Sequence, residues 1–200
     1  MKANKIIVFD IDGTLLNAAQ GSIHIYKRMA DGSEMALTPS QYTEEAASKG
    51  SEGSGITYDF RDFSDESKVY ESIVKGSPIV GNLRIMDKAL EEGFDFCFLT
   101  ARACKDTVAG ALDDFLLWRH EDGTMHRLGA RFRKDLSVAV NDAGCGCEEE
   151  SDAEKKAGVL KRLCACYRNV TFVDDDARNI DAARSIGLPN LNVIQARQAG

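Results

Sequence analysis

The stretch Ile6-Ile7-Val8-Phe9-Asp10-Ile11-Asp12-Gly13-Thr14-Leu15-Leu16 joins four consecutive apolar residues to two carboxylates two positions apart and then to a glycine. A short β-branched and aromatic run of this kind predicts a strand buried on both faces. Side chains at i and i+2 of an extended chain point the same way, so Asp10 and Asp12 are expected to face one site at the strand's carboxyl end. Gly13 permits the sharp turn or close backbone approach that a bound anion requires. Two like carboxylates resist joint ionisation unless a positive partner is present, and the hard cation Mg²⁺ is the expected one.

Working outward, similar apolar runs recur at Phe94–Leu99, Leu136–Val140, Val170–Val173 and Leu191–Ile194. Helical periodicity lies between most of them, at Arg84–Glu92, Thr107–Trp118, Ala153–Tyr167 and Asn179–Ile186, with Gly93 and Gly187 placed as left-handed caps. The alternation predicts an α/β fold, a parallel sheet covered by helices in three Rossmann-like layers. Ligands of such sheets bind beyond the carboxyl ends of the strands. Two further strand ends carry polar groups there: Leu99-Thr100-Ala101-Arg102 and Val173-Asp174-Asp175-Asp176.

Residues 17–82 break the alternation and are expected to form a small insertion after the first strand, leaving 1–16 and 83–200 as the core. Ile23–Arg28 reads as a strand, Ala30–Ser33 as a turn into a return strand, and Thr38-Pro39 as a helix start. Ser48–Gly55 reads as a flexible loop, and so does the acidic stretch from Asp142 to Asp152.

The 200 residues carry 25 Lys+Arg against 32 Asp+Glu, a formal net charge of −7, and 44% are hydrophobic. Such a chain can bury a core, which excludes disordered and collagen-like classes. Its acidic balance argues against broad duplex binding through phosphate neutralisation. No apolar run reaches the roughly 18 residues of a membrane span, and no export signal is read, so a cytoplasmic protein with no membrane attachment is expected. Reduced thiols are then the expectation for Cys97, Cys104, Cys145, Cys147, Cys164 and Cys166, although the two C-x-C pairs raise zinc as an alternative. His24, His120 and His126 have no companion acids at ligand spacing.

With these motifs in place, the chain resembles the haloacid dehalogenase-like (HAD-like) hydrolase superfamily, over roughly residues 5–16 and 83–195, and in arrangement its bacterial and phage members. Asp10-x-Asp12-Gly13-Thr14 matches the first motif, Thr100 the second, a lysine at the start of the Ala153–Tyr167 helix the third, and Asp174-Asp175 with Asn179 the fourth. The resemblance implies that Asp10 is the nucleophile forming an aspartyl-phosphate and Asp12 the general acid and base. It implies Mg²⁺ held by Asp10, the Asp12 carbonyl and Asp175, and a phosphoryl group held by Thr100 and the lysine. Lys156 is preferred over Lys155, because Leu160 and Leu163 then fall at the family's usual offsets. Asp175 is preferred as direct ligand on the reasoning that Asn179 sits one helical turn later to support it, with Asp174 as alternate or supporting ligand. Asp176 is expected to cap the following helix.

Arg102 is expected either to touch the substrate or to form a structural ion pair. In this family an insertion between the first two motifs is a cap governing substrate access. Within the resemblance an acid at position 12 fits phosphatases and phosphomutases rather than dehalogenases, and phosphonate hydrolysis would need a cap lysine, for which neither Lys27 nor Lys49 can be assigned. The implied activity is hydrolysis of a small phosphorylated metabolite or nucleotide. The basic group Arg127, Arg131, Arg133 and Lys134 reads as a solvated face balancing the acidic regions, but it resembles in position the stretch by which polynucleotide 3′-phosphatases of the superfamily recognise a nucleic-acid end, and keeps that activity as the runner-up. A noncatalytic phosphate-binding module is the alternative outside enzymes.

Overall fold

Five parallel strands make the central sheet, in the order β10-β9-β1-β7-β8: β1 (Ala3–Phe9), β7 (Asp95–Thr100), β8 (Val138–Ala139), β9 (Tyr167–Asp174) and β10 (Leu191–Gln195). This computed structural model describes residues 3–18, 21–39, 41–42, 45, 55–117, 131–142 and 150–196. The pleat of each strand divides its apolar residues between two cores. Ile7, Phe9, Phe96 and Phe98 face one side, where they pack against α1 (Glu66–Val74), α2 (Val80–Glu91) and α3 (Lys105–Leu117) through Val69, Ile73, Met86, Val108 and Leu112. Ile6, Val8, Cys97, Leu99 and Phe172 face the other, against Leu160 and Leu163 of α4 (Asp152–Cys166) and Ala183 of α5 (Ala177–Ser185). The result is the expected three-layer α/β architecture, with both sheet faces covered as parallel strands require.

Gly93 and Gly187 follow α2 and α5 with φ of +83° and +66°, the left-handed caps their sequence positions predict. The expected strand Leu136–Val140 shortens to Val138–Ala139 because Leu136 and Ser137 turn back onto the Arg133 carbonyl. The N-terminus of α4 carries a full capping box: the Ser151 hydroxyl accepts from Glu154 N, and the Glu154 carboxylate accepts from Ser151 N.

Between β1 and α1 the chain builds a second, antiparallel sheet, β4-β3-β5, from β3 (Ile25–Arg28), β4 (Glu34–Leu37) and β5 (Thr57–Asp59). A short antiparallel pairing joins β2 (Leu16–Asn17) to β6 (Ser77–Pro78). Thr38 caps the helical turn that follows β4, with Gln41 N donating to its hydroxyl. Asp62 ties this sheet to α1: its buried carboxylate accepts from His24 N (3.0 Å), the Tyr26 hydroxyl (3.3 Å) and Lys68 Nζ (2.7 Å). Although α1 lies inside the stretch expected to be the insertion, its apolar stripe of Val69 and Ile73 belongs to the core of the main sheet.

Candidate active site

Strand β1 delivers Asp10 to the carboxyl edge of the sheet. Phe9 stands opposite Phe98 of β7 and Val173 of β9, and Asp10 N donates to the Val173 carbonyl at 2.9 Å. By the pleat, Asp10 shares the face of Ile6 and Val8, beneath α4. Lys156, one turn into that helix, donates from Nζ to Asp10 Oδ1 and to Asp174 Oδ2, both at 2.8 Å. Lys155 points elsewhere, to Asn141 Oδ1 at 3.2 Å. Of the two adjacent lysines, Lys156 is the one the fold brings to the aspartates.

The acidic run differs from its sequence reading. Asn179 supports Asp174, not Asp175: its Nδ2 donates to Asp174 Oδ1 and Oδ2 at 3.1 and 3.0 Å. The i, i+4 rule fails here because Asp175 precedes the helix, which starts at Ala177 after the Asp176 cap. Strand parity governs instead: Asp174 ends β9 on the face of Val170 and Phe172, toward α4 and α5, and Asp175 falls on the other face. Asp175 is met there by Thr14, whose hydroxyl accepts from Asp175 N and donates to Asp175 Oδ1, both at 3.1 Å. Asp176 caps α5 by accepting from Arg178 N at 2.8 Å, as expected.

Carboxylate oxygens of Asp10, Asp174 and Asp175 lie within 4.8 Å of one another, and they are the one such acidic, histidine or cysteine cluster among the described residues. The donor set fits a hard divalent cation, which prefers carboxylate oxygen. Within it Asp174 is already saturated, taking Lys156, two bonds from Asn179 and the Asp176 N–H at 2.9 Å, one for each of its four lone-pair positions. Burial raises the Asp10 carboxyl well above the usual carboxylate range, with the charges of Asp174 and Asp12 adding to it and Lys156 opposing. Burial alone would also discharge Lys156, but the two carboxylates outweigh it and hold the ammonium above its ordinary pKa. One ammonium facing two buried carboxylates keeps its proton and leaves the cluster short of positive charge.

Asp12 is held from the other side. Arg102, fully buried, donates from Nε to Asp12 Oδ2 at 2.6 Å and from Nη2 to Asp12 Oδ1 at 2.7 Å, a bidentate pair. Its remaining nitrogen, Nη1, reaches Ser72 Oγ (2.6 Å) and the Val69 carbonyl (3.3 Å) on α1. Of the two readings of Arg102, the structure therefore shows the ion pair, and shows it on Asp12. Thr100, buried at the end of β7, accepts the Arg102 backbone N–H on its hydroxyl at 3.2 Å, which leaves its own O–H to donate. Gly13 sits at φ +74°, and a Cβ there would fall 2.8 Å from Asp175 Cγ, so the close approach anticipated at this glycine is to a carboxylate of the chain itself.

Among the described members of the basic group, each has a protein partner. Arg131 donates to the Gly93 carbonyl, Arg133 to Asp135 and the Tyr167 hydroxyl, and Lys134 to Asp113. Lys27 pairs with Glu45. Of the described cysteines, Cys97 and Cys164 lie in the core, Cys104 is half-buried and Cys166 is exposed. Arg127, Lys49, His120, His126 and the Cys145/Cys147 pair lie outside the described residues. Sequence reasoning gave Thr14 no role beyond its motif and missed Ser72; the first carried a signal, a hydroxyl straight after the turn glycine, whereas Ser72 sits in an ordinary helical pattern with none.

No family model matches the chain, and no curated protein matches it. Among solved structures it is similar to a HAD family enzyme from Bacteroides thetaiotaomicron, crystallised with magnesium and inorganic phosphate, at 11% identity and a TM-score of 0.48 over 99% of this chain and 96% of that one. It is also similar to Protein Tyrosine Kinase A of Mycobacterium tuberculosis, at 16% identity and a TM-score of 0.46 over 100% of this chain and 89% of that one. A third likeness is to a predicted HAD-like family hydrolase from Porphyromonas gingivalis, at 12% identity and a TM-score of 0.41 over 98% and 93% of the two chains. At these identities and scores none of them assigns chemistry to this chain.

Proposed function

We propose that this chain is a HAD-like, Mg²⁺-dependent phosphomonoester hydrolase acting through an aspartyl-phosphate on a small substrate. The observation that carries the reading is the meeting of Asp10, Asp174 and Asp175, with Lys156 bonded to the first two and Asp12 held two residues further on by Arg102. A carboxylate oxygen of Asp10 attacks phosphorus, and the bond from phosphorus to the leaving oxygen breaks as Asp12 gives that oxygen a proton. Asp12 then takes a proton from water, whose oxygen attacks the same phosphorus and returns Asp10 as a free carboxylate with inorganic phosphate. Arg102 is assigned to orienting Asp12: it takes one lone pair on each Asp12 oxygen and leaves each a second for the leaving group or water.

Lys156 has a third ammonium proton, and Thr100 its hydroxyl proton, to offer the phosphoryl oxygens. Mg²⁺ would be held by Asp10, Asp175 and the Asp12 carbonyl, and when bound would supply positive charge between nucleophile and phosphate. Asp174 and Asn179 then keep Lys156 in place. The insert built on β3, β4 and β5 is read as the cap, and the thiols of the core fit a reducing, cytoplasmic setting. The partners of Arg131, Arg133 and Lys134 favour a small substrate over a polynucleotide end.

The test is phosphate release from a panel of sugar phosphates, nucleotides and 3′-phosphorylated oligonucleotides with Mg²⁺ or EDTA. Turnover that needs Mg²⁺ and disappears in Asp10→Asn is the expected result. Undiminished turnover in that variant, or none from any ester by the wild type, would overturn the reading; in the second case, retained binding of a phosphate analogue would identify a noncatalytic module.

A further inference from the structure

Where the antiparallel insert faces the carboxyl end of the main sheet, the two enclose a cavity of about 660 Å³. That volume lies in the roughly 300–1,000 Å³ range of small-molecule sites. Its floor begins at Ala101, the residue after Thr100, and at Asn179, which is bonded to Asp174, so it continues the candidate active site rather than lying apart from it. The two walls differ in chemistry. The insert contributes Tyr42, Phe60 and Phe63, with Tyr42 and Phe60 edge to face at 5.3 Å between ring centres and Phe60 and Phe63 at 6.1 Å. Phe60 remains 43% exposed, one of few large apolar side chains so open among the described residues.

The opposite wall bears Asp152, Asp176 and Arg178. Arg178, the one cation among the described lining residues, is committed to Asp176 through Nε at 3.1 Å and Nη2 at 2.6 Å, and so adds little attraction for a second anion. A polyol could bond Ser64, Asn141 and Ser151 but would set hydroxyls against the aromatic wall, and a diphosphate or triphosphate would bring further negative charge toward two aspartates. A flat ring with π faces, carrying one phosphate that enters the aspartate cluster, meets neither objection.

Resting on the phosphohydrolase reading above, we infer that the preferred substrate is a monophosphate ester whose leaving group carries a flat, uncharged aromatic ring, seated against Tyr42, Phe60 and Phe63. A nucleoside monophosphate and a simple aryl phosphate share this chemistry, and they are separate arms of the test. Steady-state kinetics with Mg²⁺ are measured on a nucleoside 5′-monophosphate, an aryl phosphate, a hexose phosphate and a nucleoside triphosphate, for wild type, Phe60→Ala, Phe60→Trp and Tyr42→Ala. In parallel, binding of the nucleoside monophosphate and of the aryl phosphate is followed calorimetrically with Mg²⁺ in the Asp10→Asn background, where turnover is stopped.

The expected result is kcat/KM at least about tenfold higher for one or both aromatic monophosphates than for the hexose phosphate, a factor at the low end of what one base–aromatic stack contributes. Phe60→Ala should erode that ratio through KM, and Phe60→Trp should restore it. Preference between the two aromatic arms tells whether the ring is a nucleobase. A hexose phosphate or nucleoside triphosphate turned over as well as the aromatic monophosphates, or a ratio unchanged in Phe60→Ala and Tyr42→Ala, would overturn the inference while leaving the hydrolase standing. Absence of turnover on every ester with aromatic binding that Phe60→Ala weakens would sink the hydrolase and keep the ring site. Absence of both would remove the two together.

Discussion

Replacing Asp12 by alanine should destabilise the protein, whereas most losses of a crowded carboxylate would relieve it. The reason is Arg102, a fully buried guanidinium whose charge is met by the Asp12 carboxylate at 2.6 and 2.7 Å and otherwise by neutral acceptors, Ser72 Oγ and the Val69 carbonyl. Removing one partner of a buried ion pair costs about 3–5 kcal/mol, because the charge left behind is neither solvated nor paired. The Asp12 side chain is 30% exposed, so water can partly refill its place, and the low end, about 3 kcal/mol, is expected. For a chain of this size that corresponds to a fall in Tm of about 6–12 °C. The assay is thermal unfolding followed by circular dichroism in EDTA at pH 7. The double variant Asp12→Ala/Arg102→Met removes the stranded charge and should recover most of the loss, to within about 1 kcal/mol of the wild type. Asp12→Ala melting at or above the wild-type temperature, or a double variant no better than the single, would refute the assignment of Arg102 to Asp12.

Asp10→Asn carries the opposite sign. Burial raises the Asp10 carboxyl, so its ionisation opposes folding at neutral pH, and in EDTA the variant should melt above the wild type at pH 7; the gain should shrink as the pH falls toward about 4, where the unfolded carboxyl also takes up its proton. Gly13→Ala forces a side chain into the left-handed region and against the Asp175 carboxylate, and should cost about 1–2 kcal/mol while abolishing the rise in Tm that Mg²⁺ gives the wild type. For Asp62, burial would raise the carboxyl, but Lys68 and the His24 N–H outweigh it and hold it below the usual range. Its contribution is therefore present above about pH 4 and lost as the pH falls through the lowered value, so the urea midpoints of wild type and Asp62→Ala should differ at pH 7 and draw progressively closer as the pH falls below about 4.

Strand runs and their flanking acids were readable because parallel strands advertise themselves as continuous apolar stretches that end at the chemistry: Ile6–Phe9 before Asp10, and Val170–Val173 before Asp174. The preference for Lys156 over Lys155 rests on the resemblance, whose usual offsets Leu160 and Leu163 then match, and Lys156 is the lysine that lies beside Asp10. Asn179 pairs with Asp174 although a helical offset points it to Asp175, because across a strand end the period of two decides which face a side chain takes. The Arg102–Asp12 pair joins residues ninety positions apart, and nothing in the local pattern of either announces a partner so distant. Likewise the aromatic wall arises from Tyr42, Phe60 and Phe63 meeting the core across the fold, in a segment whose sequence reads as irregular.

The central claim is that phosphorus passes through Asp10. It is tested most directly by quenching the wild-type protein during turnover of an active ester, reducing the acyl phosphate with borohydride and mapping the product by mass spectrometry. The account predicts homoserine in place of aspartate at position 10, and at no other carboxylate of the site. A phosphorylated or reduced residue elsewhere, or turnover with residue 10 unaltered at every time point, would contradict it.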